Sequence, residues 1–218
     1  MIVYGRNVAF EYLKNYKKDI RKIIIQDGFN DKKLLSALEN TKFDVIYKDK
    51  RYMDDLSKGV HQGIILDVMD YQYTPLNDLL KSDAQFVVIL DHLEDPHNFG
   101  AIIRTCECAG VDYIIIPKNR SVSVNSTVYK TSSGALNNVK IIEVVNLNNT
   151  IKKLKTLGFW VYGSDALGKD YRSIKYDSKT CLIIGSEGHG LKKIVSNSCD
   201  EIISIPMKGK VNSLNASV

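Results

Sequence analysis

Phe86-Val87-Val88-Ile89-Leu90 leads through Asp91-His92-Leu93-Glu94-Asp95-Pro96-His97-Asn98 into Phe99-Gly100-Ala101-Ile102-Ile103-Arg104-Thr105-Cys106. Five consecutive apolar residues bounded by polar ones predict a strand covered on both faces, and the apolar run after the loop predicts a helix over residues 99–109. The same rhythm continues downstream. Strands are expected at Tyr113 to Ile116, Val139 to Val145, Trp160 to Tyr162, Cys181 to Ile184 and Ile202 to Ile205, with a helix from Leu147 to Leu157. Short apolar strands alternating with helices predict an α/β fold whose mostly parallel sheet is covered by helices on both faces. Ligands of such sheets sit at the carboxyl ends of the strands, so the loops that follow strands are the place to look for function.

Upstream, the chain reads as a smaller α/β unit. A polar helix is expected around Asn7 to Tyr16, a strand at Lys22 to Ile25, a helix at Lys32 to Glu39, and strands at Phe43 to Tyr47 and Gly63 to Val68. Tyr71-Gln72-Tyr73-Thr74-Pro75 is polar and aromatic with a helix-breaking proline. It marks a linker over about residues 71–82 between a domain of residues 1–70 and one of residues 83–218.

The chain has 218 residues, 44% of them hydrophobic, enough for two cores. No apolar stretch is long enough to span a bilayer, and the start lacks a signal-peptide layout, so a soluble, cytoplasmic protein is expected. Of the four cysteines, Cys106 and Cys108 lie two apart in a predicted helix and point in different directions. Cys181 and Cys199 show no metal-ligand spacing, so all four read as reduced thiols and no metal site is expected. A net charge of +5 permits binding to a polyanion without requiring it.

Three loops that follow strands carry the candidate residues. In the first, Asn98 is suited to cap the helix it precedes, while Arg104 sits in an apolar helix, where its guanidinium either snorkels to solvent or points into a site. The second is Ile184-Gly185-Ser186-Glu187-Gly188-His189-Gly190. Its glycines allow close approach of backbone to a ligand. It lacks the Lys-Ser/Thr ending of a Walker loop and the spacing of a dinucleotide fingerprint, and Glu187 would repel a phosphate, so a ligand with hydroxyls or a positive charge suits it better. The third, Ile205-Pro206-Met207-Lys208-Gly209-Lys210-Val211-Asn212-Ser213-Leu214-Asn215-Ala216-Ser217-Val218, reads as a loop and a helix start capped by Ser213 or Asn215.

These loops, in this order, resemble the three motifs of the SpoU (TrmH-like) branch of the SPOUT RNA methyltransferase superfamily. The similarity extends to Ile116-Pro117-Lys118-Asn119-Arg120 and to Lys130-Thr131-Ser132-Ser133-Gly134-Ala135, between the first two motifs. Tyr4-Gly5-Arg6-Asn7-Val8 and His61-Gln62-Gly63-Ile64 resemble the substrate-binding domain of the subgroup that methylates a guanosine in large-subunit ribosomal RNA. The resemblance implies a small N-terminal α/β domain of ribosomal-protein type that binds the RNA substrate, with Arg6 and Asn7 as contacts, and a C-terminal domain tied in a trefoil knot. It implies S-adenosyl-L-methionine as methyl donor, gripped by Gly185, Ile205 and Leu214, and a catalytic surround of Asn98, Arg104, Glu187, Ser213 and Asn215. Homodimers, and a further helix after the third motif that helps build the donor pocket and the dimer interface, are also implied; the sequence stops at Val218, where that helix would begin.

The activity so implied is methyl transfer from S-adenosylmethionine to a ribose 2′-hydroxyl of RNA. A guanidinium keeps its proton at neutral pH, so Arg104 is expected to stabilise the developing alkoxide and clamp the adjacent phosphate rather than act as base. Glu187 would hold the donor or accept hydrogen bonds from its own loop, and His92, His97 or His189 could supply a base. Two readings stay open beside it: a transfer-RNA 2′-O-methyltransferase of the same family, and a noncatalytic RNA-binding protein that keeps the fold.

Overall fold

A computed structural model describes residues 1–39, 41–57, 59–188, 190–210 and 213–218. The chain divides into two compact units, residues 1–72 with 124–130, and residues 73–123 with 131–218.

In the first unit the elements run β1 (Ile2–Tyr4), α1 (Arg6–Asn15), β2 (Ile20–Gln26), α2 (Lys32–Glu39), β3 (Val45–Lys48), α3 (Lys50–Ser57) and β4 (Ile64–Val68). The strands are ordered β1-β4-β2-β3, with β2 and β3 parallel and β4 antiparallel to both β1 and β2. Side chains of β2 and β4 alternate between two faces, and both faces are apolar. Ile23, Ile25, Ile64, Leu66 and Val68 pack with Val8, Tyr12 and Leu13 of α1 and Leu34 and Leu38 of α2. Ile24 and Ile65 point the other way, onto Met53 of α3. Three layers result, helix, sheet and helix. Residues 124–130 belong to this unit, and Tyr129 stands 5.4 Å from Tyr12, ring centre to ring centre.

The second unit contains α4 (Leu76–Leu80), β5 (Phe86–Asp91), α5 (Pro96–Cys108), β6 (Tyr113–Pro117), β7 (Lys140–Val144), α7 (Leu147–Thr156), β8 (Trp160–Asp170), β9 (Thr180–Gly185), α8 (Lys193–Ser196) and β10 (Glu201–Ser204); α6 (Ser126–Thr131) falls between β6 and β7. Six strands lie in the order β10-β8-β9-β5-β6-β7, each pair parallel. Val87, Ile89, Ile115, Val161 and Ile183 form a core with Leu79 of α4, Ile151 and Leu154 of α7 and Val195 of α8. Val88, Leu90, Ile114 and Ile116 face the opposite way and are equally buried, which is why these strands carry unbroken apolar runs.

Two boundaries differ from expectation for local reasons. Pro75 does not break structure; it precedes α4, and Leu79 is buried in the core of the second unit. The helix expected from Phe99 begins three residues earlier, at Pro96, because Pro tolerates the first turn and Asp95 caps it by accepting from the His97 N–H at 2.9 Å. The expected cap Asn98 is therefore inside α5 and buried, so capping does not explain it.

Candidate functional site

From β5 the chain moves through α5 to β6 on one side of the sheet, whereas β9 leads through α8 toward β10 on the other. The strand order reverses between β5 and β9, and a crevice opens at the carboxyl ends of such a pair. There Asp91, last in β5, pairs in register with Gly185, last in β9.

Asp91 is fully buried yet satisfied: one oxygen is 2.6 Å from His92 Nδ1 and the other accepts the Lys192 N–H at 2.8 Å. A carboxylate out of reach of water requires such partners. These bonds fasten the end of β5 to the chain leaving the glycine loop. His92 adopts φ 59°, a left-handed conformation unusual for a residue with a side chain. Asp91 was missed from sequence because its second partner is 101 residues away.

After β9 the chain doubles back. Ser186 and Gly190 exchange two backbone hydrogen bonds, of 3.1 and 2.8 Å, which put Glu187 and Gly188 at an exposed tip. His189 lies outside the described residues. Gly185 is buried against this hairpin, and a Cβ there would stand 2.2 Å from the carbonyl carbon of Gly190. Close approach of backbone to backbone is what demands glycine here.

The third loop leaves β10 beyond β8. Ile205 and Leu214 are 53% and 46% exposed, and Met207 is also exposed, so this loop presents apolar side chains to solvent. The helix start expected here is a turn instead: Asn215 Oδ1 accepts from the Ser217 N–H at 2.8 Å and from its hydroxyl at 2.6 Å, and Ser213 is exposed. Val211 and Asn212 lie outside the described residues.

Arg104 is two turns into α5. The buried stripe is Phe99, Ile102, Ile103 and Cys106, so position 104 turns outward, and its exposed guanidinium makes no hydrogen bond or ion pair with a described residue. Asn98 and Arg104, expected together, thus occupy different faces of the helix. Asp95 is held below the usual carboxylate range, first by the His97 N–H and further by the Asn98 side chain. Among the described residues no three His, Cys, Asp or Glu converge as a metal site would need.

In the first unit, Arg6 opens α1 behind Gly5 without a side-chain cap, and Asn7 is exposed in the first turn. Arg6 donates its backbone N–H to Gln62 Oε1 at 2.9 Å and reaches Asp31 at 3.4 Å.

Residues 85–218 match the SpoU rRNA Methylase family, and residues 2–74 match the RNA 2′-O ribose methyltransferase substrate binding family. The chain belongs to the SpoU methylase family. It is 44% identical over 226 residues, covering all of this chain and 91% of the relative, to a Staphylococcus aureus protein named for the TrmH family of tRNA/rRNA methyltransferases. The fold is shared with the SpoU methyltransferase AviRb from Streptomyces viridochromogenes, solved with AdoMet, at a TM-score of 0.83 and 21% identity over all of this chain and 84% of that one. An AdoMet-bound rRNA methyltransferase from Sinorhizobium meliloti gives a TM-score of 0.78 and 21% identity over 99% and 82% of the two chains. As in its SpoU relatives, a mostly parallel sheet follows a small N-terminal α/β domain, as the sequence implied.

Proposed function

We propose that this chain is an S-adenosylmethionine-dependent RNA 2′-O-ribose methyltransferase that modifies a guanosine of large-subunit ribosomal RNA. The observation that carries the reading is the presence, in one chain, of a SpoU rRNA methylase region and a region of the RNA 2′-O ribose methyltransferase substrate-binding family.

The side chains of the second and third loops suit the chemistry of the donor. Ile205, Met207 and Leu214 offer exposed apolar surface for a purine, and Glu187 a carboxylate for a cation. In this reading Gly185, Ile205 and Leu214 hold the donor, and Glu187, Ser213 and Asn215 surround it. When bound, the donor supplies an electrophilic methyl group on sulfur. The protein then has to align a ribose 2′-hydroxyl and ease loss of its proton. Arg104, unpaired on α5, stabilises the developing oxygen charge and clamps the neighbouring phosphate; Asn98 braces the loop through Asp95. His92 and His97 flank the same loop and are the described candidates for the base.

The active form is a homodimer whose C-terminal domain is knotted, and it works in the cytoplasm, where its RNA is found. No helix among the described residues is long and apolar enough to cross a membrane. Residues 1–70 carry the substrate domain, with Arg6 and Asn7 exposed for phosphate and base edge.

The test is a titration of the protein with S-adenosylmethionine by calorimetry, then transfer of labelled methyl to purified ribosomal and transfer RNA. Donor binding with label in ribosomal RNA supports the reading. Label in transfer RNA alone replaces the substrate, and no donor binding reduces the chain to an RNA-binding protein.

A further inference from the structure

The first unit contains a cleft of about 820 Å³ whose lining includes Arg6, Phe29, Asn30, Lys50, Val60 and Gln62. That volume lies within the range of small-molecule sites and is far too small for a duplex. The feature that gives it chemical character is the Phe29 ring. It is half-buried, and the Arg6 guanidinium carbon lies 5.4 Å from its centroid.

The ring is held from behind by an unusual turn. Gln62 and Gly63 are consecutive residues with left-handed backbone, φ 55° and 84°. A Cβ on Gly63 would stand 2.6 Å from the edge of the Phe29 ring, so only glycine lets the turn close on it. Strain of this kind persists only where surrounding bonds over-determine it. Here Gly63 N–H donates to His61 Nδ1 at 3.0 Å, leaving the proton of neutral His61 on Nε2, which reaches Asp54 at 3.0 Å. His61 is 5% exposed, and Gln62 is tied to the Arg6 N–H. The turn, ring and guanidinium are thus fixed before any ligand arrives.

Exposed beside this platform are Asn30, with an amide able to read a base edge, the cation Lys50, and the apolar Val60, 71% exposed. Asp54, the lining carboxylate, is engaged by His61. An aromatic face, two cations and an amide around a concave space match an unpaired nucleotide, whose base stacks and whose phosphates are paired by charge.

Resting on the proposed RNA substrate, we infer that this cleft takes one splayed-out, unpaired nucleotide of the RNA, its base stacked on Phe29 and its phosphates on Arg6 and Lys50, apart from the nucleotide that is methylated. RNA enters the first unit by a flipped base and not only by phosphate contacts.

The experiment uses the full chain and two probes: an RNA hairpin with 2-aminopurine in its loop, and a blunt duplex of the same stem. Wild type should bind the hairpin more tightly and change its 2-aminopurine fluorescence. Phe29→Leu keeps apolar volume without a π face and should weaken hairpin binding about 10-fold, in the range for one stacked base, with duplex affinity and melting temperature unchanged. Phe29→Tyr should restore hairpin binding. Arg6→Ala should weaken both probes and flatten their salt dependence. If Phe29→Leu binds the hairpin as wild type does, or loses hairpin and duplex equally, the subsite is wrong while methyl transfer to RNA still stands. If wild type binds neither probe and transfers no methyl, the subsite and the proposed function both fail.

Discussion

Gly185→Ala tests whether the glycine loop is built as described. The new Cβ would stand 2.2 Å from the Gly190 carbonyl carbon, 2.5 Å from its oxygen and 2.5 Å from the Leu191 nitrogen. Non-bonded carbons rest about 3.5–4.0 Å apart, so the overlap exceeds about 1 Å, and it is against backbone that no rotamer change can clear. The hairpin must move, and its two Ser186–Gly190 bonds are the first to go. At about 1 kcal/mol for each of the two bonds and about 1–3 kcal/mol for overpacking, the variant should lose about 3–5 kcal/mol of stability. Donor affinity should fall by about 100-fold, since displacements near 1 Å in a positioned site have effects of that order. Gly188→Ala is the control, because its Cβ meets nothing within 4 Å. Thermal melting without donor and calorimetric titration with S-adenosylmethionine read both quantities. If Gly185→Ala melts and binds like wild type, the packing argument is refuted.

Arg104→Ala should abolish methyl transfer with donor affinity unchanged, and Lys should rescue it poorly because a point charge lacks the planar fork; a wild-type rate in the Ala variant removes Arg104 from the mechanism. Asp95→Ala should cost about 1 kcal/mol in chemical denaturation, as for other lost helix caps. Since the folded Asp95 titrates below the ordinary carboxylate range, its contribution is full above that range and lost as pH falls through the folded value, so wild type and variant should converge in acid. Burial pushes the Cys106 thiol up to about 12 and the Cys199 thiol up to about 11, and raises Cys181 as well. Iodoacetamide at mildly alkaline pH should therefore label exposed Cys108 first, and peptide mass spectrometry showing Cys106 or Cys181 labelled in the native protein would contradict that order.

The parallel sheet was legible because strands buried on both faces, such as Tyr113–Pro117, carry unbroken apolar runs. Other elements are too short or too polar to be read that way. The strand Ile2–Tyr4 is too short for alternation to count, and Lys50–Ser57 is a helix with only Met53 and Ser57 buried. The strand at Trp160 extends to Asp170 because its pairing with β10 jumps from Gly163 to Lys169, and an irregularity of that kind has no pattern. Residues 124–130 join the first unit by contacts far apart in sequence. At the site, Gly185 was readable from its glycine-rich loop. The Asp91–Lys192 bond was not, because local patterns do not register a carboxylate whose partner arrives after several strands. Asn98 looked like a cap because it stands before an apolar run; Pro96 and Asp95 move the helix start upstream of it.

The central claim concerns which atom receives the methyl group. Purified protein should be incubated with trideuteromethyl-labelled S-adenosylmethionine and large-subunit ribosomal RNA, and the RNA digested to nucleosides for mass spectrometry. The account predicts the label on the ribose of guanosine, as 2′-O-methylguanosine. Label on a base, or RNA left unlabelled by a protein that binds the donor, would contradict it.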